Sequence, residues 1–475
     1  MKNFLKIFVF FSSIISIIFS LEDLYNNDGY LLMTLMPAVY AIIYIFFIHE
    51  SIFQYKSIVA LSYFLISYLR FIIIPILISV TNTYGIEYII VMKEEYYYIA
   101  FCLMLYELIF TSIVLRLSTQ YFLKGNSINF FTSQKKLRLT GSKWIYFGFL
   151  MFAFLLYLIY PGAKDLLSFL VIQSEQGIRL DERIETNLML IRQILIVACI
   201  LAYIVVLSYL IKRYKITNKN LYVIFAVGIS LLNISIIVGE RRSVQIYTAF
   251  VCIFILGTLF EKYKKRIYLV IGTGAALILI GMSIYKHLNA FLYDSYWEAL
   301  TNSSGTGWGI ANTFQAYFFG PQNLAIAVEI AKQVENPISR FIFDFFRSTI
   351  GFNFFVKGID ITSSDVFNSY IYGEFKPSGH VISSTGHVYL YFGFLLAPIL
   401  VALTIVLGTY MEKKLKNTIS LELSYLYGYI LIRMCVSMFA NLPAVINTVS
   451  LMLFSLGLIY FVSRIFQRFS EGSKI

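Results

Sequence analysis

The sequence predicts an all-α polytopic membrane protein of about twelve transmembrane helices, with one large extracytoplasmic loop containing short amphipathic helices. Three observations predict it: a composition no water-soluble domain carries, recurring apolar runs of spanning length, and lysine and arginine clusters that alternate between those runs. Of 475 residues, 59% are hydrophobic and 13% charged, so a chain folded in water would expose large apolar patches. Lipid is the solvent that tolerates such a surface. The formal net charge is +12, yet the basic residues stand in short clusters and not on one soluble face, which argues against a nucleic-acid partner. Cys102, Cys199, Cys252 and Cys435 fall inside apolar runs, without paired spacing or nearby histidines. They read as small free hydrophobes and not as a zinc site.

A spanning helix needs roughly 20 mostly apolar residues. Runs that meet this lie at 4–20, 30–48, 57–80, 96–117, 143–160, 188–211, 220–238, 244–260, 266–285, 388–409, 424–440 and 443–464. The first follows Lys2 and Lys6 as a signal peptide would, but Ser20-Leu21-Glu22-Asp23 lacks a small-x-small cleavage pattern and further spans follow at once, so it reads as a span. Placing both termini in the cytoplasm gives the cytoplasmic segments 23 of the 38 basic residues and 5 of the 26 acidic ones, the bias that sets orientation. Those segments hold Lys135-Lys136-Leu137-Arg138, Lys212-Arg213-Tyr214-Lys215, Lys262-Tyr263-Lys264-Lys265-Arg266 and Lys413-Lys414-Leu415-Lys416. One integrated domain follows: helices one to nine over 1–285, the outer loop over 286–387, and helices ten to twelve with a cytoplasmic tail over 388–475.

Within the loop, Ile338, Phe341, Ile342 and Phe345 recur at helical spacing while Arg340, Asp344 and Arg347 share another face, predicting a helix lying on the membrane surface. Pro321 to Asn336 reads as a second helix with Leu324, Val328 and Ala331 on one side. Ser303 to Gly309 is Gly-rich and reads as a turn.

Charges in unexpected places are the functional candidates. Arg241 and Arg242 sit in a very short outer turn, against the positive-inside bias. Their forked donors suit phosphate oxygens, and snorkelling to phospholipid headgroups is the equally weighted alternative. Arg192, near the outer start of span six, supplies either a phosphate contact or an ion pair with Asp181-Glu182-Arg183-Ile184-Glu185. Arg70, Glu107 and Arg433 lie inside spans, where an unpaired charge costs about 2.5–3.5 kcal/mol. An Arg70–Glu107 bridge between neighbouring spans is the simplest account of two of them and is structural, which leaves Arg433 as the functional candidate. The loop ends in Ser378-Gly379-His380-Val381-Ile382-Ser383-Ser384-Thr385-Gly386-His387. His380 and His387 can take a proton near neutral pH, with Asp360, Asp365 and Glu374 as rival acceptors and a solvated loop role as the alternative for each. No zinc-protease, Walker or nucleophile-elbow motif is present.

Val238-Gly239-Glu240-Arg241 leading into a span, Phe318-Phe319-Gly320-Pro321-Gln322-Asn323-Leu324 in the loop, and Ser378-Gly379 to Thr385 followed by Tyr389-x-Tyr391-Phe392-Gly393 together resemble the Wzy-type polymerases of O-antigen and capsule repeat units. The resemblance implies a GT-C-like glycosyltransferase of the bacterial cytoplasmic (inner) membrane that joins undecaprenyl-diphosphate-linked oligosaccharides on the outer leaflet. It implies a lipid-linked donor and acceptor, a chain-length regulator and a flippase as partners, and neither cofactor nor metal. Arg241 matches the family's G-x-R arginine, and Arg242 is an extra. The family's further arginine near the last spans is missing where Asn441-Leu442-Pro443 stands, and Arg433 is its nearest substitute. Under this reading arginines stabilise the departing pyrophosphate, His387, His380 or Asp365 is the base, and Trp297, Trp308 and Tyr317 stack on sugar rings. A glycan ligase using the same carrier and a lipid-linked oligosaccharide transporter are the alternatives, the latter disfavoured by the absence of a visible repeat.

Overall fold

A computed structural model describes residues 2–22, 28–82, 93–124, 137–160, 163, 168–169, 186–237, 243–290, 308–356, 361–372 and 381–472. The protein is all-helical over these residues except for one two-residue antiparallel pairing, Ser168–Phe169 with Ile236–Ile237. Among the described residues six helices are long and apolar enough to cross a membrane: Asn3–Leu21, Tyr30–Phe53, Ile58–Thr81, Glu94–Leu123, Leu190–Thr217 and Leu442–Ser470. Each falls on an expected run. The runs at 143–160 and 220–238 form shorter apolar helices, Lys143–Ile159 and Leu221–Ile234. Val244–Leu259 and Glu261–Leu277 meet at Phe260 with a bend of 118°, so the chain folds back on itself there. The continuous span expected over 388–409 is instead two helices. Ser384–Phe392 stops at Gly393, whose φ of +70° suits a residue without a Cβ, and the chain turns before resuming at Ile399–Asn417.

Two compact units divide the chain. The first comprises residues 1–127, 300–413 and 433–450. Its interior is aromatic and threaded with hydroxyls that satisfy backbone groups lipid cannot solvate: Tyr40 Oη donates to the Phe64 carbonyl, Tyr63 meets Thr111 and Ser112, and Ser16 Oγ donates to the Ile72 carbonyl. Glu412, fully buried, accepts from Ser57 Oγ at 2.7 Å and from the amides of Ile58 and Val59, adding a carboxylate to the Ser57 cap at the N-terminus of the helix Ile58–Tyr68.

Arg70 lies in a widened π-turn, Leu69–Ile73, ahead of Pro75, a residue with no amide to give the preceding turn. Its guanidinium grips Glu107 with two bonds, Nη1 to Oε1 at 3.1 Å and Nη2 to Oε2 at 3.2 Å, and both side chains are at most 1% exposed. The bridge expected from sequence is therefore present, and it does more than neutralise two charges. Nε and Nη2 also donate to the carbonyl of Phe319, at 3.2 and 2.9 Å. Phe319 has a φ of +55°, costly for an aromatic residue, and the paired donors hold that carbonyl in place. The Phe439 ring covers the guanidinium, 4.3 Å from its centroid.

The second unit comprises residues 128–299, 414–432 and 451–475. Asn233 Nδ2 donates to Tyr425 Oη, and Ser230 Oγ donates to Tyr203 Oη. Buried Glu422 accepts from the amides of Thr140 and Gly141, from Tyr146 Oη and from Ser420 Oγ.

Removing one member of the buried Arg70–Glu107 pair strands the other in the apolar interior. Arg70→Ala and Glu107→Ala are each expected to lower stability by about 3–5 kcal/mol, with the double variant losing less than the sum of the two. Thermal unfolding of the purified protein in detergent measures the cycle, and additive losses would show that the two charges are not coupled.

Candidate functional site

The site is assembled in the first unit from short helices: Ser363–Tyr372 and Ser384–Phe392 pack on Pro321–Gln333, and Ile338–Ser348 meets those two through the side chains of Asp344 and Phe341. Pro321 opens the helix Pro321–Gln333 at the position where a missing amide costs nothing. The sequence places one apolar face on it, but every residue from Pro321 to Ile330 is buried, so it is a core element. Asn323 ties it to the segment before His387: Nδ2 donates to the Val381 carbonyl at 3.0 Å, and Oδ1 accepts from the Ser383 amide at 2.9 Å. Ser383 then caps the helix Ser384–Phe392 by accepting from the Gly386 amide. A Cβ on Gly386 would lie 2.9 Å from the Ala327 Cβ, so glycine is what lets the two helices approach.

His387, fully buried, sits in the first turns of that capped helix. Its Nε2 lies 3.0 Å from Oδ2 of Asp344, itself 5% exposed. The Asp344 carboxylate also accepts from the Ser363 amide and from Ser363 Oγ, whose hydroxyl is shared with Tyr391 Oη. The Asp344 carboxylate holds the imidazole through Nε2 and so turns Nδ1 away from it. Nδ1 has no hydrogen-bond partner among the described residues. Phe341 packs on the imidazole at 5.0 Å between centroids, Phe345 stacks at 6.3 Å, and Tyr391 meets it edge-on at 5.8 Å.

Asp344 and Arg340, one turn apart on the face expected for them, both lie beside Tyr391, and Asp344 points inward from that face to His387, between Phe341 and Phe345 in sequence. The exposed stripe is Ile338, Ile342 and Phe346. Asp344 is thus the partner of the candidate His387 that sequence reasoning missed, and the acidic residue interrupting an aromatic run, Phe343-Asp344-Phe345, was the available signal.

Of the other expected site residues, Asp365 is exposed and closes a capping box: its Oδ2 accepts from the Thr362 amide at 2.9 Å, and Thr362 Oγ1 accepts from its amide at 3.1 Å. Its carboxylate serves the helix Ser363–Tyr372 and makes no described contact with His387. Arg433 ends near the turn after Leu421–Val436, donating to Ser437 Oγ at 2.9 Å and to the Ala444 carbonyl at 3.2 Å, so it braces the turn at 437–441. Arg192 is half-buried in the helix Thr186–Thr217. Arg241, Arg242 and His380, with Asp360 and Glu374, lie outside the described residues. Tyr317 is exposed, Trp297 lies outside the described residues, and Trp308 opens the helix Trp308–Phe318. Glu329 is a further buried carboxylate, from the core helix. Burial and the Glu329 charge push the nearby Tyr370 phenol up to about 12, so Tyr370 stays a neutral donor to Gln333 Oε1.

Chemically, a buried imidazole oriented by a carboxylate through one nitrogen presents the other as a proton acceptor. No family model, no curated protein and no solved structure matches this chain.

Asp344→Ala or His387→Ala removes half of a buried polar pair and should cost about 3 kcal/mol or more, whereas Asp365→Ala loses a cap worth about 1 kcal/mol. Unfolding midpoints of the three variants in one detergent test the ranking. An Asp365→Ala loss as large as the other two would place Asp365 inside the buried network.

Proposed function

We propose that the protein is a membrane glycosyltransferase of the Wzy type, a polymerase that joins undecaprenyl-diphosphate-linked oligosaccharide repeat units at the outer leaflet of a bacterial cytoplasmic membrane. Twelve membrane crossings with both termini inside, and residues 286–387 outside, belong to the same proposal. The observation that carries it is the His387–Asp344 pair, set in the stretch Ser378 to Gly393 that resembles the family and buttressed by Phe319 to Asn323, the other stretch that does.

In the proposed reaction an acceptor sugar hydroxyl loses its proton to His387 Nδ1 while its oxygen attacks the anomeric carbon of the donor. A glycosidic bond forms, the bond from that carbon to the diphosphate oxygen breaks, and undecaprenyl diphosphate leaves with the electron pair. Asp344 holds the Nε2 proton and stabilises the imidazolium that results. Arg241 and Arg242 neutralise the departing diphosphate, with Arg192 as a further contact. His387 is enclosed by Phe341 and Phe345, so the hydroxyl reaches it once the helix Ile338–Ser348 moves outward. The apolar outer stripe of that helix, Ile338, Ile342 and Phe346, lets it do so within lipid.

Arg241→Ala should abolish lengthening of lipid-linked repeat units while membrane insertion is unchanged, and His387→Gln should slow it by about a hundredfold or more. The measurement is the ladder of products formed by purified protein from a lipid-diphosphate oligosaccharide. Normal ladders from Arg241→Ala would remove the phosphate role, and normal ladders from His387→Gln would remove the base.

A further inference from the structure

A second concave site lies wholly within the other unit and shares no residue with the His387 network. A cavity of about 560 Å³ is lined by Arg138, Gly141, Lys143, Trp144, Lys212 and Lys215 among others, and no carboxylate is among the described residues that line it. Four cations on one cavity repel one another, and a protein keeps them together when an anion sits between them. The cavity wall adds a second attraction. The helix Lys143–Ile159 begins there with Ser142 in an extended conformation and no side chain capping its first amides, which leaves the positive end of the helix dipole open. Glu422, next to the lining residue Leu421 but not in the lining itself, is 1% exposed and turned inward: it accepts from the Thr140 and Gly141 amides at 3.0 and 2.8 Å and from Tyr146 Oη at 3.0 Å. It thereby pins the strand of chain that carries Arg138, which also exchanges backbone bonds with Ile419 and Leu421. The cavity is preformed, not a chance meeting of mobile lysines.

The surroundings say from which side a ligand arrives. Trp144 is 79% exposed, and Phe147, Phe466 and Phe469 are exposed beside the basic residues. Large aromatic side chains next to lysines at the end of apolar helices belong to the boundary between acyl chains and headgroups. We propose that this cavity binds the phosphate of an anionic phospholipid headgroup, drawn from the leaflet that bathes this end of the unit. Forked donors from Arg138 and point charges from the three lysines meet the phosphate oxygens, and the aromatic rim meets the acyl chains. By the distribution of basic residues that leaflet is the cytoplasmic one. The site is independent of the glycosyl transfer proposed above, so a lipid readout separates the two.

The test is native mass spectrometry of the full-length protein, delipidated and then supplied with phosphatidylglycerol, with phosphatidylcholine, or with inorganic phosphate alone. The wild type should retain phosphatidylglycerol over phosphatidylcholine. Lys212→Gln with Lys215→Gln should reduce that retention at least about tenfold at low ionic strength, and Lys212→Arg with Lys215→Arg should restore it. Equal retention of the two lipids, undiminished retention by the glutamine variant, or occupancy by inorganic phosphate that displaces the lipid would each overturn the proposal. Should the glutamine variant fail to fold, the wild-type comparison of the two lipids and the arginine variant still decide.

Discussion

A guanidinium buried in an apolar interior has to be answered by something, and in the first unit everything near the proposed site depends on how Arg70 is answered. Left alone, it would cost about 2.5–3.5 kcal/mol even on lenient insertion scales. Glu107 supplies the charge, and the donors that remain converge on one carbonyl, that of Phe319. That carbonyl opens a turn whose next residues, Gly320 and Pro321, start a helix buried from Pro321 to Ile330. Asn323 on that helix holds the backbone ahead of Ser383, Ser383 caps the helix bearing His387, and His387 meets Asp344. An ion pair between two spans is thus connected by consecutive polar contacts to an imidazole more than three hundred residues away in sequence. Buried ion pairs are poor sources of net stability, and the value of this one is positional: it determines where a chain reversal may occur.

The same economy governs two other buried acids. A chain with 13% charged residues has few to place inside, and two of those it does place answer backbone amides. Glu412 covers the opening of Ile58–Tyr68, and Glu422 covers the amides of Thr140 and Gly141. In water such amides could be left to solvent. Where lipid is the solvent, each open amide at membrane depth costs several kcal/mol, so at Ile58–Tyr68 a carboxylate from a distant helix takes the amides of Ile58 and Val59 that the local Ser57 cap, bonded to Ala60, leaves over.

This explains what the amino-acid sequence reveals and what it conceals. Arg70 and Glu107 were legible because a charge inside an apolar run is conspicuous and each had one candidate partner on the adjacent run. His387 was legible as a titratable group at the edge of a span. Asp344 was not: helical periodicity groups it on one face with two arginines and says nothing of a histidine 43 residues later. The break at Gly393 was hidden by hydropathy, since Phe394 to Leu403 is as apolar as a continuous span would be. Asp365 looked like a proton acceptor because loop carboxylates do, whereas Thr362 three residues earlier marks a capping box. Long-range acceptors such as Glu412 leave no local pattern, because their partners lie hundreds of residues away.

The two units put scarce charge to opposite uses. Around His387 the side chains are aromatic, the carboxylate is enclosed, and the polar contacts run inward, which gives a proton acceptor in a medium that strengthens electrostatic interactions. Around Arg138 and Lys143 the cations face a cavity and Glu422 is turned away and saturated. The first arrangement suits chemistry on a neutral hydroxyl, because a carboxylate on the far side of the imidazole stabilises the cation that proton acceptance creates. The second suits capture of a group that is already anionic, because no carboxylate among the described lining residues competes for the cations. Burial of the acid beside the base in one unit, and burial of the acid away from the cations in the other, is what separates a reactive site from a holding site.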